Sequence, residues 1–303
     1  MNSMNQTARQ VSDSTEKWLK GIPYEVAFWR SYYGNRRRRA ELFSWSLYDK
    51  ECVLDDFDAA GYIRSRDGNS VILDVGCALS YAFGNRFGGE PRQVTYVDPL
   101  APFYNRILER YNIDRPHIRF GMVENLTSSF EENTVDFIHI RNALDHCADP
   151  LEGILQALCC LKPGGILYLN HFRNEAVNEG YRGFHQFNVD EHEGHTILWN
   201  RDCRVDVTET VASFAQTVTT VAANGRIVSV ITKTAQVPPS VADPRQTGMR
   251  TARMLMTTAE LFHSPRFALG YQMSSLFTTV SHRAMRLLPH SMVRRLKKLL
   301  SHN

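Results

Sequence analysis

The chain has 303 residues, 43% of them hydrophobic and 22% charged, with a formal net charge of +3. This balance suits a soluble protein with one sizeable core and excludes a disordered chain. A charge this small, without a concentrated basic stripe, argues against a nucleic-acid partner. Six cysteines (Cys52, Cys77, Cys147, Cys159, Cys160 and Cys203) fit no zinc spacing and read as free thiols of a reducing compartment. No apolar signal region opens the chain and no apolar run reaches about 18 residues. A cytoplasmic protein is expected.

The stretch up to about Lys20 reads as peripheral. IPYEVAFWRSYYGNRRRRAELFSWSL follows with a helical pattern, Val26, Trp29 and Tyr33 falling at i, i+3 and i+7. Arg36 to Arg39 interrupt it, either as a solvated face or as a contact for an anionic group. Residues 1–65 are expected to form an N-terminal helical cap. Strand and helix patterns then alternate. NSVILDV is a strand, ALSYAFGNRF a helix start, QVTYVD a strand and PFYNRILERYNI a helix. HIRFGMV and TVDFIHI are strands, DPLEGILQALCCL is a helix broken by KPGG, and ILYLNHF is a fifth strand. Such alternation builds a parallel sheet covered by helices, with every strand's C-terminal end on one edge.

Residues 172–204 are polar and aromatic without sustained periodicity, an excursion of the kind that carries substrate loops. A short helix near ETVASFAQ leads to TVTTVAA and RIVSVITKT, joined by the hairpin signal Asn224-Gly225. The expected fold class is α/β: a seven-stranded, mostly parallel, doubly wound sheet with an antiparallel last strand. The core spans 66–235, and 236–303 form a linker and a C-terminal helical extension. Within that extension, 291–300 read as a basic amphipathic helix, either docked on the protein or in weak contact with an anionic membrane surface. The latter would make the protein peripheral to the membrane.

The stretch VILDVGCALS ends a strand in Asp74, turns at Gly76 and continues through the small residues Ala78 and Ser80. The next strand, QVTYVD, ends in Asp98. An acid at that place can accept ribose hydroxyls. The turn lacks the G-x-G-x-x-G of a dinucleotide site, and no triphosphate loop is present. A ligand with ribose and adenine but no phosphate fits these residues.

DVGCALS, YVDP, ENLTSSFEENTVDFIHIRNALDH and LKPGGILYL together resemble the class I S-adenosylmethionine-dependent methyltransferases, over about residues 69–235. The resemblance implies S-adenosyl-L-methionine as cofactor. It sets Asp74, Gly76, Cys77 and Ala78 beside its methionyl and ribose parts, and Asp98 on the ribose hydroxyls. Pro99 and Leu100 would line the adenine pocket. No acid stands at Gly121-Met122-Val123, so Glu124, Asn125 or backbone groups must meet the adenine amine. Asn142, in Arg141–Leu144, would lie beside the methionine portion.

A hydroxyl acceptor profits from a general base. His146 follows the fourth strand, His171 ends the fifth and His185 lies in the excursion. Each is a candidate catalytic residue, and each is also readable as a packed histidine. The cluster Asp190, Glu191, His192, Glu193 and His195 reads as a solvated turn, and no metal is expected. NEGYRGFHQFN and EVAFWRSYYG are similar to methyltransferases associated with bacterial sugars and polysaccharides. That similarity implies a small-molecule or glycan acceptor. Trp29, Tyr32, Tyr33, Tyr181, Phe184 and Trp199 would offer rings to it, and Asn178, Gln186 and Asn188 polar contacts. The expected activity is O-methylation of a sugar or another small polar metabolite. The alternatives are N- or carboxyl-methylation and a non-catalytic cofactor-binding subunit.

Overall fold

The computed structural model describes residues 2–66 and 69–238, with isolated helical positions between 256 and 292. The expectations for 239–303, including the 291–300 helix, otherwise lie outside the described residues. Helices α1 (Asn2–Gly34), α2 (Arg36–Trp45) and α3 (Ala59–Arg64) come first. Then follow β1 (Ile72–Val75), the small hairpin β2 (Arg86–Phe87) and β3 (Glu90–Pro91), β4 (Val94–Asp98), α4 (Ala101–Arg110) and β5 (Arg119–Phe120). Next are β6 (Val135–Arg141), α5 (Pro150–Cys160), β7 (Leu161–Phe172) and α6 (Glu175–Asn178). The chain continues through β8 (Asn188–His192), β9 (His195–Trp199), β10 (Arg204–Asp206), α7 (Val207–Val211), β11 (Ala215–Val221) and β12 (Arg226–Lys233).

Seven strands form one sheet in the order β11-β12-β7-β6-β1-β4-β5. Only β12 runs against the others, antiparallel to both β7 and β11. Asn224-Gly225 makes the expected hairpin, with Gly225 at φ 77°. The central strands are buried on both faces, which is why they read as continuous apolar runs. Side chains alternate between two core layers. Leu73, Ile138 and Leu167 meet Ile154, Leu155 and Leu158 of α5. Ile72, Phe137 and Tyr168 meet a layer that includes Trp18, Ile22, Trp29 and Tyr33 of α1.

Four elements differ from expectation. The stretch expected to be peripheral is anchored at Trp18. It belongs to α1, and Trp18 is buried with its ring stacked on Phe184 at 5.3 Å and 7°. That contact ties the N-terminal helix to the excursion. The stretch 77–85 forms no helix. Its buried Leu79, Tyr81 and Phe83 fall at alternate positions, a spacing that no single helical face can bury. Tyr33 Oη donates to the Leu79 carbonyl at 2.6 Å, and the Leu47 amide to that of Tyr81 at 2.9 Å. These bonds stand in for a helical ladder.

KPGG does not precede the fifth strand. It is an irregularity inside it, where pairing jumps from Val135–Leu161 to Phe137–Ile166. The 172–204 excursion is an ordered unit, with α6 and a second antiparallel sheet in the order β10-β9-β8. Its Asp190–His195 cluster forms the β8–β9 hairpin, and Gly194 turns it at φ 80°. Among the described residues, no helix is long and apolar enough to cross a membrane.

If the Trp18–Phe184 stack fastens α1 to the excursion, Phe184→Ala should cost about 3 kcal/mol of stability, the usual result of emptying a buried aromatic site. Hydrogen exchange would then show α1 losing amide protection before the sheet does. Denaturant titration alongside exchange mass spectrometry measures both effects.

Candidate active site

The C-terminal ends of β1, β4, β6 and β7 meet at one edge of the sheet. At β1, Asp74 is 2% exposed, and its Oδ1 lies 2.8 Å from Nδ1 of His139 on the neighbouring β6. The two are direct partners in the strand register. Phe83 stacks on His139 with ring centroids 4.5 Å apart. Asp74 is therefore committed to an internal pair. Gly76 follows at φ 69°, and a Cβ built there would lie 2.3 Å from the Ala143 Cβ. Only glycine combines that conformation with that close approach. Cys77 is buried, and burial pushes its thiol well up, so it stays protonated. Ala78 has φ 45°, a left-handed conformation that costs a residue with a side chain.

The Ala78 amide donates to Oδ2 of Asp98 at 3.0 Å, and the Leu100 amide to Oδ1 at 2.8 Å. Asp98 is 6% exposed. Burial raises its carboxyl to about 7, more than these two amides lower it, and Glu25 and Asp74 add to the rise. Among the described residues no cation pairs with it. A ribose diol, which donates two hydrogen bonds, matches the lone pairs that the amides leave. Half-buried Pro99 continues the wall next to Asp98. The strand-end acid, the tight glycine turn and the absence of a phosphate cradle thus fit an adenosyl cofactor.

Other expected contacts also have partners within the protein. Glu124 is buried, and its Oε1 accepts from the Ala148 amide at 3.0 Å and the Asp149 amide at 3.5 Å, ahead of α5. Burial raises its carboxyl to about 6. Asn125, half-buried within the 3-10 segment Val123–Ser128, carries φ −138° and ψ 35° and is the more open of the two. Asn142, at φ 48°, accepts through Oδ1 from the Phe172 amide at 3.0 Å and Arg226 Nη2 at 2.8 Å. It braces β6, β7 and β12. Arg226, 3% exposed, also bonds Asn170 through Nε and lies over the Phe172 ring at 4.1 Å. Burial lowers its guanidinium to about 10.

Two of the three candidate histidines come together. The 3-10 turn Leu144–His146 follows β6, and the segment through His185 docks on it. The Gln186 amide donates to the Asp145 carbonyl at 2.8 Å. His185 Nδ1 lies 2.7 Å from Oδ2 of the buried Asp145 and 3.2 Å from Nε2 of His146. His146 Nε2 is 3.4 Å from the same carboxylate oxygen. A carboxylate only accepts, so Nδ1 of His185 carries the hydrogen and its Nε2 is left as an acceptor. Burial disfavours the charged form of His185, yet the bond and charge of Asp145 outweigh it and raise its pKa. Burial likewise works against the Asp145 charge, but His146 and His185 hold that carboxyl well below the usual range. Lys17 of α1 reaches the His185 carbonyl at 3.2 Å, placing the helix over this pair.

His171 stands apart. It is 1% exposed, with neither ring nitrogen hydrogen-bonded, and burial lowers it to about 3. A ring that weak and that enclosed is unsuited to take a proton from an acceptor. Several expected glycan contacts are internal as well. Tyr33, Trp29 and Phe184 are buried, and Gln186 and Asn188 are 4% and 0% exposed. Among the described residues, two sets of side chains have ligand atoms within 4.8 Å of one another and the chemistry to hold a cation: Asp145, His146 and His185, and His195, Asp206 and Glu209. The second set lies on the outer sheet, where His195 Nδ1 is 2.8 Å from Asp206 Oδ2.

Residues 73–169, from β1 through most of β7, match the family model described as a methyltransferase domain. Among solved structures, the CurJ carbon methyltransferase is 19% identical with a TM-score of 0.38, the match covering 57% of this chain and 51% of that one. The chain thus spans about half the length of that structure. The PH0226 protein from Pyrococcus horikoshii is 15% identical with a TM-score of 0.35, covering 67% and 95%. A SAM-dependent methyltransferase from Aquifex aeolicus is 13% identical with a TM-score of 0.35, covering 57% and 88%. A search of curated protein sequences finds no match.

Calorimetry with S-adenosylhomocysteine tests the turn and the acid. Gly76→Ala should abolish binding, whereas Ala78→Gly, which relaxes a left-handed residue, should preserve it. Asp98→Asn should lose about 1.5–3 kcal/mol, the worth of hydrogen bonds to a charged group. In the unaltered protein, affinity should rise as pH climbs through about 7 and level off above, because only ionised Asp98 accepts both ribose hydrogens. The Asn variant should lack that rise.

Proposed function

We propose that the protein is an S-adenosylmethionine-dependent O-methyltransferase acting on a hydroxyl of a sugar or another small polar metabolite. The observation that carries this reading is the Asp145–His185 pair at the cofactor edge, 2.7 Å apart and flanked by His146. A neutral hydroxyl is a weak nucleophile, and a base poised near neutral pH is what its methylation needs. The cofactor supplies a methyl group on a sulfonium sulfur.

The protein's own task is to hold the acceptor in line, exclude water and receive one proton. In this reading His185 Nε2 takes the hydroxyl proton. Asp145 fixes the tautomer through Nδ1 and stabilises the imidazolium that forms. Helix α1, clasped to the excursion by Trp18 and Lys17, then covers the acceptor beside the histidine pair. A small acceptor suits such a covered site better than a polymer duplex, and a cytoplasmic setting goes with the free thiols.

With a hydroxylated acceptor, kcat should rise with pH along a limb centred above 6.5, the ordinary histidine value, because Asp145 raises His185. Asp145→Asn removes that support, so the limb should move to lower pH while kcat drops. His185→Gln should lower kcat by about 10²-fold or more and leave S-adenosylhomocysteine affinity unchanged. Methyl transfer undiminished in His185→Gln would favour an amine or carboxylate acceptor instead. Cofactor binding without transfer to any hydroxylated acceptor would favour the non-catalytic alternative.

A further inference from the structure

A cleft of about 560 Å³ opens on the excursion, between β8, β9 and the turn that leads to β10. Its size falls within the roughly 300–1,000 Å³ of small-molecule sites. Nothing described so far uses it. Three arginines line it (Arg173, Arg201 and Arg204) together with three carboxylates (Asp190, Glu191 and Asp202). These side-chain charges offset one another, so the lining favours neither a polyanion nor a polycation. Polar groups outweigh apolar ones in the lining, where Ile197 is the aliphatic side chain, a balance that suits an amphipathic ligand better than a greasy one. One aromatic ring, the half-buried Trp199, shares the wall. Dense donors and acceptors of both signs around one indole match a ligand that is neutral, rich in hydroxyls, and apolar on one face.

The wall is preorganised. Arg173 Nε donates to Asp190 Oδ1 at 2.6 Å, and Asn174 Nδ2 to Asp190 Oδ2 at 3.1 Å. Trp199 Nε1 donates to Asn174 Oδ1 at 3.0 Å, which fixes the indole. Asn200 Oδ1 accepts from the amides of Asp202 and Cys203, both at 2.9 Å, and so sets the turn that carries Arg201 and Asp202. Arg173 comes directly after β7, whose last residue is bonded to Asn142 at the cofactor edge. The cleft thus begins where the cofactor edge ends.

We infer that this cleft is a binding subsite for a neutral carbohydrate chain, holding sugar units beyond the one whose hydroxyl is methylated. The inference rests on the O-methyltransferase reading for its link to catalysis, but the binding itself does not. The acceptor is then an oligosaccharide, with Trp199 stacked on a sugar face and the arginine and carboxylate groups bonded to its hydroxyls.

The test uses cellopentaose, chitopentaose and isomaltopentaose as probes on the full chain without cofactor. The Trp199 indole N–H resonance, assigned with Trp199→Phe, reports occupancy. At least one probe should shift it saturably, and Arg204→Ala, an exposed position, should weaken that binding about tenfold. No shift with any of the three, or a shift with heparin alone, would overturn the subsite. Methyl transfer is assayed separately. A saturable shift without transfer keeps the subsite and removes the O-methylation reading. Transfer to a pentasaccharide with KM unchanged in both Arg204→Ala and Trp199→Phe removes the subsite and keeps that reading.

Discussion

Asp74 and His139 meet at 2.8 Å with almost no exposure, on adjacent strands and in direct register. A buried charge of this kind is tolerable only when paired and hydrogen-bonded. A slip of β1 against β6 by a single position would separate the two and leave a lone carboxylate in the core. The contact therefore pins the centre of the sheet. It also sets what is built around it. Phe83 lies flat on His139, which draws the 77–85 loop down over the strand ends. Gly76 is then pressed against Ala143, and Ala78 is turned so that its amide meets Asp98. One internal hydrogen-bonded pair thus underlies the placement of Asp98.

The N-terminal helix takes up the space that this loop leaves. With no helix after β1, that face of the sheet needs another cover, and α1 supplies Trp18, Ile22, Trp29 and Tyr33 to it. The same helix reaches the excursion through Trp18 and Lys17. Cap, core and excursion are therefore one packed body around the edge where β1, β4 and β6 end. Glu25, bonded to Trp29 Nε1 at 2.8 Å, adds a carboxylate from above to the field felt by both Asp98 and His185.

The sheet was legible because its signals are local. Apolar runs such as VILDV and DFIHI and the Asn224-Gly225 turn each depend on a few adjacent residues. Asp98 and Gly76 were legible for the same reason, since strand-end acids and tight turns leave a mark in sequence. What escaped depends on contacts distant in the chain. Nothing around Trp18 announces Phe184, which lies on the far side of the whole parallel core in sequence. The helix expected at ALSYAFGNRF was lost to tertiary burial of Leu79, Tyr81 and Phe83, which overrides local propensity. Glu124 and Asn142 also take structural bonds, to nearby amides and to Arg226, that nothing in their local sequence signals. The Asp145–His185 pair could not be read from the adjacency of Asp145 and His146, because its second member arrives from the excursion. His139 had a usable signal, as it stands opposite Asp74 once the two strands are aligned.

The reversed strand β12 has a consequence for the order in which the protein can be completed. Every parallel strand of the sheet brings its C-terminal end to the cofactor edge, but β12 brings its first residue, Arg226, which bonds Asn142 and Asn170 there. It also inserts between β7 and β11, so β7 keeps a bare hydrogen-bonding flank until β12 arrives. A chain emerging from the ribosome has by then already made the cofactor acid, the histidine pair and the whole excursion. These parts wait, unclosed, for a strand that starts only at Arg226, although β7 ends at Phe172. A chain that stops before that point lacks both the partner strand of β7 and the Arg226 brace, so the edge cannot be closed until β12 is made.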